Sequence, residues 1–309
     1  MQPETRLTAD MFRPVTDNFK DAETIGRPSI SYWADVWRRL RMNKLAMVGL
    51  VVIILLVLMA IIGPMISGYT YYKQDFTSKN LQPSAEHWFG TDSSGRDMFT
   101  RIWFGARISL FIGVAAAFID FVLGVIYGGI SGLKGGRVDN IMMRIAEVLY
   151  GIPYLLMVIL LMVVMGPGLL TIIIAMTITG WIPMARLVRG QVLQLKEQEY
   201  VHAATALGAD TKWILMKHII PNTMGPILVN VTLTVPTAIF AEATLSFLGL
   251  GIPAPRASWG TMANDALVSL LIGNVYQLFI PGFFISLTMF AFNVLGDGMR
   301  DALDPRMRK

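Results

Sequence analysis

The residues able to do chemistry are few, and most of them sit in unusual places. The chain has no cysteine, which excludes disulfides, thiolate metal sites and cysteine nucleophiles. Its three histidines, His87, His202 and His218, do not share the spacing of metal ligands, so a metal site is not expected. A tighter cluster occurs in FGTDSSGRD at 89–97, where Gly90, Thr91, Asp92, Gly95, Arg96 and Asp97 put two acids and a base beside turn residues. The expectation is structural, with Arg96 bridging carboxylates to fix the turn. Three further acids, Asp120, Glu147 and Glu242, lie within or beside long apolar runs.

Those runs define the class. Of 309 residues 54% are hydrophobic and only 15% charged, where a soluble domain carries roughly 25% charged residues. The missing charge is replaced by side chains that meet lipid. The net charge of +5 does not indicate nucleic acid, because Lys and Arg gather at the ends of apolar segments, as they do beside a bilayer. The first 40 or so residues have no apolar core and do not read as a signal peptide.

A segment of about 20 apolar residues crosses the hydrocarbon layer as a helix. Six such spans are expected, at 45–66, 108–130, 145–165, 169–187, 225–250 and 278–295. Residues 1–29 read as a mobile tail. Ser31 to Asn43 reads as a basic amphipathic helix in the membrane interface, with Trp33, Val36, Trp37 and Leu40 on one side. Outer loops are expected at 67–103 and 251–277, and a polar loop at 188–224. Basic residues at 38–44, 134–144, 186–217 and 300–309 place both termini and the 188–224 loop in the cytoplasm. Arg186 and Arg189 are expected at the headgroups.

Within that frame the acids can be weighed. A charge at bilayer depth is costly and defaults to a functional reading. Glu147 is expected to be interfacial, pairing with Arg144 or the nearby basic loop. Asp120 and Glu242 either face a water-filled pathway or are satisfied by hydroxyls such as Thr244 and Ser246, or by a partner subunit. The small residues Gly113, Ala117, Gly124 and Gly128 allow close helix packing, and prolines recur in the later spans. These are features of a packed, movable bundle.

The 188–224 loop contains EYVHAATALGADTKWILMKHIIP at 199–221. Tyr200, Ala203, Ala204 and Leu207 recur at helical spacing, Gly208 stands where that helix stops, and Asp210 can cap a second one. Pro221 is expected to end the second helix. The result is two short helices with a glycine corner, and such a segment between spans implies that something docks on it.

This stretch resembles the EAA signature of ABC importer permeases through Ala203, Ala204, Gly208 and Pro221, with His202 where that family has an acid. FGTDSSGRD, GARISL at 105–110, LSFLGLG at 245–251 and GDGMRDALDP at 296–305 are similar to the oligopeptide and dipeptide importer permeases, closest to the C-type oligopeptide subunit. The resemblance implies an all-α, six-span type I importer bundle in the bacterial cytoplasmic membrane. It implies a second related permease, two ABC ATPase subunits holding ATP and Mg, and an external peptide-binding protein as partners. This chain would bind no cofactor itself, and it has no G-x-x-x-x-G-K-[ST] phosphate loop. The 199–221 region would be the coupling helix, the outer loops would meet the binding protein, and Asp120 and Glu242 would be pathway candidates. Nickel-chelate or glutathione importers are the related alternatives. A self-contained secondary transporter is the alternative of another class; it calls for an inverted repeat, and none is evident.

Overall fold

In the computed structural model, residues 31–304 are described, and among them the regular structure is entirely helical apart from an isolated bridge between Thr91 and Asp97. The tail expected at 1–29 lies outside the described residues. The amphipathic helix is present as α1, Tyr32–Met42, with Trp33 and Trp37 exposed and Leu40 packed against Ala46 and Ala302. Asn43 then caps α2, Lys44–Ile66, by accepting from the Ala46 N–H.

The second span is longer than its hydropathy suggests. Asp97 caps α3, Met98–Lys134, through the Thr100 N–H, so this 37-residue helix starts ten residues before the expected 108 and shortens the outer loop to 67–97. Charges at its start masked its helical character. Arg101 is buried in an ion-pair cluster, and Arg107 donates through Nε to the Ala60 carbonyl (2.5 Å) and through Nη2 to that of Ile61 (2.9 Å). Pro64 lacks an N–H and so deprives Ala60, four residues back, of its helical donor; Arg107 from the neighbouring helix supplies one.

The expected 145–165 span is a broken one. α4, Gly136–Tyr150, and α5, Tyr154–Met165, meet at an angle of 79° across Gly151–Pro153. Proline excludes the α conformation from the residue before it, and its ring forbids continuation of the ladder. After the 166–168 turn, α6 runs unbroken over Leu169–Leu195 with Pro183 inside it. Arg189 on α6 is not a headgroup anchor: it forms a double hydrogen bond with Asp139 of α4 (2.5 and 2.6 Å), and Ser131 of α3 donates to the same carboxylate. Arg186 lies over the Tyr150 ring at 4.9 Å.

α7, Glu199–Ala206, and α8, Thr211–Ile214, follow, and a π-helical turn at Leu215–Ile219 joins α8 to α9, Ile220–Leu245. Pro221 therefore does not end a helix. It occupies the first turn of α9, where its missing N–H costs little, and the widened π turn precedes it. A second π turn, Ser246–Leu250, ends this run; α10, Trp259–Leu270, and α11, Tyr276–Leu303, complete the fold. Among the described residues five helices are long and apolar enough to span a membrane, and the bent α4–α5 pair makes a sixth if it counts as one span.

Two ends can be told apart. Ala46 and Gly298, Gly132 and Val192, Gly129 and Leu215, and Gly225 and Leu303 meet at one end, which therefore also carries α7 and α8. At the other end the loop after α2 meets α10 and the turn before α11 through Arg96–Asp265 and Gln82–Asn274.

The most extensive helix contact is α3 against α6. A Cβ on Gly128 would fall on the Ala185 carbonyl oxygen, which is backbone and cannot swing aside. Gly128→Val is expected to destabilise the protein by about 1–3 kcal/mol as an overpacked contact, read as a lower unfolding midpoint in detergent; Gly190→Ala, in open space on the same helix pair, is the silent control.

Candidate functional site

The segment 199–221 makes a corner of two short helices. Asp210 caps α8 through the Trp213 N–H at 2.8 Å, and Gly208 at φ +86° lets the chain reverse between α7 and α8. The expected contact stripe splits. Val201, only 4% exposed, turns inward onto Val188, Val192, Ile214 and Ile219, and Ala204 packs against the same group. Tyr200, Ala203 and Leu207 point outward, and Leu207 is 89% exposed. Helical periodicity locates a stripe but not which side of a short helix meets its own protein; the buried anchor is the residue next to Tyr200. Trp213 and Met216 extend the exposed apolar patch. His202 is exposed, with Nε2 3.9 Å from the Glu197 carboxylate, so this histidine does not pack into the bundle. His218 lies between the Trp213 and Tyr200 rings, at 4.7 and 6.0 Å.

At the other end, the 89–97 motif forms an ion-pair knot. Arg96 bridges Asp92 (2.6 Å) and Asp265 on α10 (2.9 Å), the bridging expected from its neighbours in sequence. Arg101 joins both acids from below, at 3.4 and 3.0 Å. Thr91 Oγ1 donates to the Ser78 carbonyl and accepts from the Leu81 N–H, and Gly90 and Gly95 have φ of +73° and +72°. A Cβ at Gly95 would overlap the backbone of Asp75, whose carboxyl Thr77 and Ser78 hold below the usual carboxylate range by hydrogen bonding. Asp97 caps α3 and stands 3.5 Å from His87 Nδ1. The knot ties the loop to α10, a partner 169 residues away that spacing alone could not reveal.

The three acids near the spans separate cleanly. Glu147 is exposed and pairs with Arg144 at 2.9 Å, as expected. Glu242 is wholly buried, and its carboxyl accepts hydrogen bonds from Ser258 (2.6 Å), Ser246 (2.7 Å) and Ser109 (3.1 Å). Of the hydroxyls proposed for it, Ser246 serves and Thr244 does not, bonding instead to the Phe240 carbonyl. Glu242 does not line the cavity that takes up Asp120. That cavity, about 420 Å³, opens between α3, α6 and α9 beside the α4–α5 break. Asp120 is 6% exposed and lines it together with Tyr150, Tyr154, Thr179 and Asn230.

A bundle of this kind, with an exposed helical corner at one end and a polar cavity along its long helices, has close counterparts. Residues 121–309 match the family model described as binding-protein-dependent transport system inner membrane component. The chain belongs to this family. Residues 31–83 also match the N-terminal transmembrane domain of oligopeptide transport permease C. The dipeptide transport system permease protein DppC of Bacillus subtilis is 64% identical over 290 residues, covering 94% of this chain and 91% of its own. The oligopeptide transport system permease protein OppC of the same organism is 62% identical over 98% of this chain and 99% of its own. Among solved structures, a chain of the inward-facing MetNI methionine ABC transporter aligns with a TM-score of 0.55 at 21% identity, covering 67% of this chain and 98% of that one. The last likeness concerns fold alone. This binding-protein-dependent permease is a multi-pass membrane protein.

Proposed function

We propose that this chain is the translocation-pathway subunit of an ATP-driven, binding-protein-dependent importer of oligopeptides or dipeptides. The observation that carries the reading is the exposed corner of α7 and α8, held by Val201 and the Asp210 cap at the end where the described chain also starts and finishes. The Lys and Arg gathered at that end support a cytoplasmic placement for it, and counting the bent α4–α5 pair as one span gives the six spans of this reading. Tyr200, Ala203, Leu207 and Gly208 then face a cleft on an ABC ATPase, Ala204 backs the helix from within, and His202 contributes at the rim.

A second, related permease completes the pathway across from this one, and two ATPase subunits hold ATP and Mg. An external peptide-binding protein docks on the outer loops around the Arg96 knot. This subunit is itself non-catalytic and resides in the bacterial cytoplasmic membrane. Closure of the ATPases draws the coupling helices together and switches the spans between inward- and outward-facing arrangements. Asp120 belongs to the pathway, whereas Glu242, spent on three serines, belongs to the scaffold.

Reconstitution tests the reading. With the second permease, both ATPases, binding protein and ATP, labelled peptide is expected to accumulate in vesicles. This chain alone under a proton or sodium gradient is expected to accumulate none; accumulation there would establish a secondary transporter instead.

A further inference from the structure

Asp120 is the one buried carboxylate among the described residues with an oxygen that has no hydrogen-bond partner. A carboxyl group in the membrane-spanning part of a bundle is costly unless it has a partner. Asp120 Oδ1 is fully buried and receives no hydrogen bond from the described residues. α6 approaches it so closely that a Cβ on Gly180 would lie 2.7 Å from Oδ2, so the carboxyl rests on bare backbone. The cavity wall does not satisfy it either. No lysine, arginine or histidine lines the cavity, and the Thr234 and Thr237 hydroxyls donate to carbonyls of their own helix. Arg186 is engaged with the Tyr150 ring. A second buried polar atom without a partner, the Tyr154 hydroxyl, belongs to the same cavity wall, at the first residue after the break in α4–α5.

We propose that Asp120 and Tyr154 form a binding site for a primary ammonium group, and, on the peptide-importer reading above, for the ammonium group of the peptide in transit. An ammonium offers three donors and a positive charge, and the wall offers a carboxylate, a phenol oxygen and no competing cation. A metal ion fits less well, because no group of three acidic or histidine ligands occurs among the described residues. The amino terminus is the cation that every unblocked peptide carries whatever its sequence, so one carboxylate serves a carrier of varied peptides. Tyr154, placed at the break, couples occupancy to the angle between α4 and α5.

The native chain has no cysteine, so Thr179→Cys puts a single thiol of this chain in the cavity wall. In the full complex in vesicles, this thiol is expected to react about tenfold faster with an aminoethyl thiosulfonate than with a sulfonatoethyl one, because a charged cleft concentrates counter-ions. Adding Asp120→Asn should abolish that preference and Asp120→Glu should keep it. In the same vesicles without the cysteine, Asp120→Asn and Tyr154→Phe should each slow ATP-driven uptake of a free-amine tripeptide lacking lysine and arginine, by about tenfold and threefold respectively, and Asp120→Glu should restore it. An unchanged labelling preference in Asp120→Asn overturns the cation site. A lost preference with undiminished uptake overturns its use by the peptide. A retained preference in a native complex that imports no peptide would instead refute the importer reading and leave the cation site standing.

Discussion

Leu207→Glu is expected to uncouple the complex. Leu207 is 89% exposed at the C-cap of α7, just before the Gly208 corner, and it belongs to none of the bundle's buried clusters. Its removal therefore leaves the fold unaffected, and the variant should insert into the membrane and unfold at the native midpoint. On the importer function proposed above, the same side chain enters an ATPase cleft, where a central apolar anchor contributes about 2 kcal/mol or more, equivalent to roughly thirtyfold in affinity. A carboxylate there adds the penalty of burying an unpaired charge. Co-purification with the ATPases and ATP-driven uptake should both fall by at least that factor, and Leu207→Met should retain both. Ala204 is a poorer test site than its place in the motif suggests, since it packs inward and a bulky replacement would disturb the bundle as well as the docking. Native ATPase association in Leu207→Glu would remove α7 from the coupling contact.

Glu242→Ala should have the largest effect on stability. The carboxyl joins α9, α10 and α3 through Ser246, Ser258 and Ser109, and two of these serines have a further task. Ser109 also accepts from the Trp259 N–H (3.3 Å), and Ser258 caps α10 by accepting from the Thr261 N–H (3.2 Å). Trp259 itself is fully buried and donates to the Ile102 carbonyl at 3.0 Å. Truncating Glu242 leaves three buried hydroxyls without their acceptor beside a new cavity. At about 1–3 kcal/mol for each buried group stranded, the expected loss is roughly 3–9 kcal/mol, seen as low folded yield and early unfolding in detergent. Glu242→Gln keeps the shape and one carbonyl acceptor, and its loss should be about 1–2 kcal/mol. If Glu242→Ala unfolded normally yet lost uptake, the residue would belong to the pathway after all.

Much of the architecture is legible in the chain because lipid imposes a one-dimensional rule: a helix must be long and apolar enough to cross. That rule locates α2, α6, α9 and α11, and the cap at Asp210 follows from local hydrogen-bonding chemistry. It misplaces the start of α3, because Arg101 and Arg107 are charges to a hydropathy scale but find their partners in Asp265, Asp92 and the carbonyls beside Pro64. It also overstates Pro221, since the consequence of a proline depends on whether the preceding turn can widen.

The fate of the three acids shows where local reading stops. The Arg144–Glu147 pair is three residues apart and visible in sequence. Asp120 and Glu242 look alike there, each a lone acid in an apolar run. Only packing separates them: helices distant in sequence bring three seryl hydroxyls to Glu242, while Asp120 receives a glycine backbone and an open cavity. The sequence by itself determined the apolar helices and the two-helix corner at 199–221, because composition and spacing act along the chain, and its motifs carried the resemblance to the family. Tertiary structure decided which face of α7 is free and which buried acid is left without a hydrogen-bond donor, because desolvation and hydrogen-bond satisfaction depend on the neighbours that folding supplies.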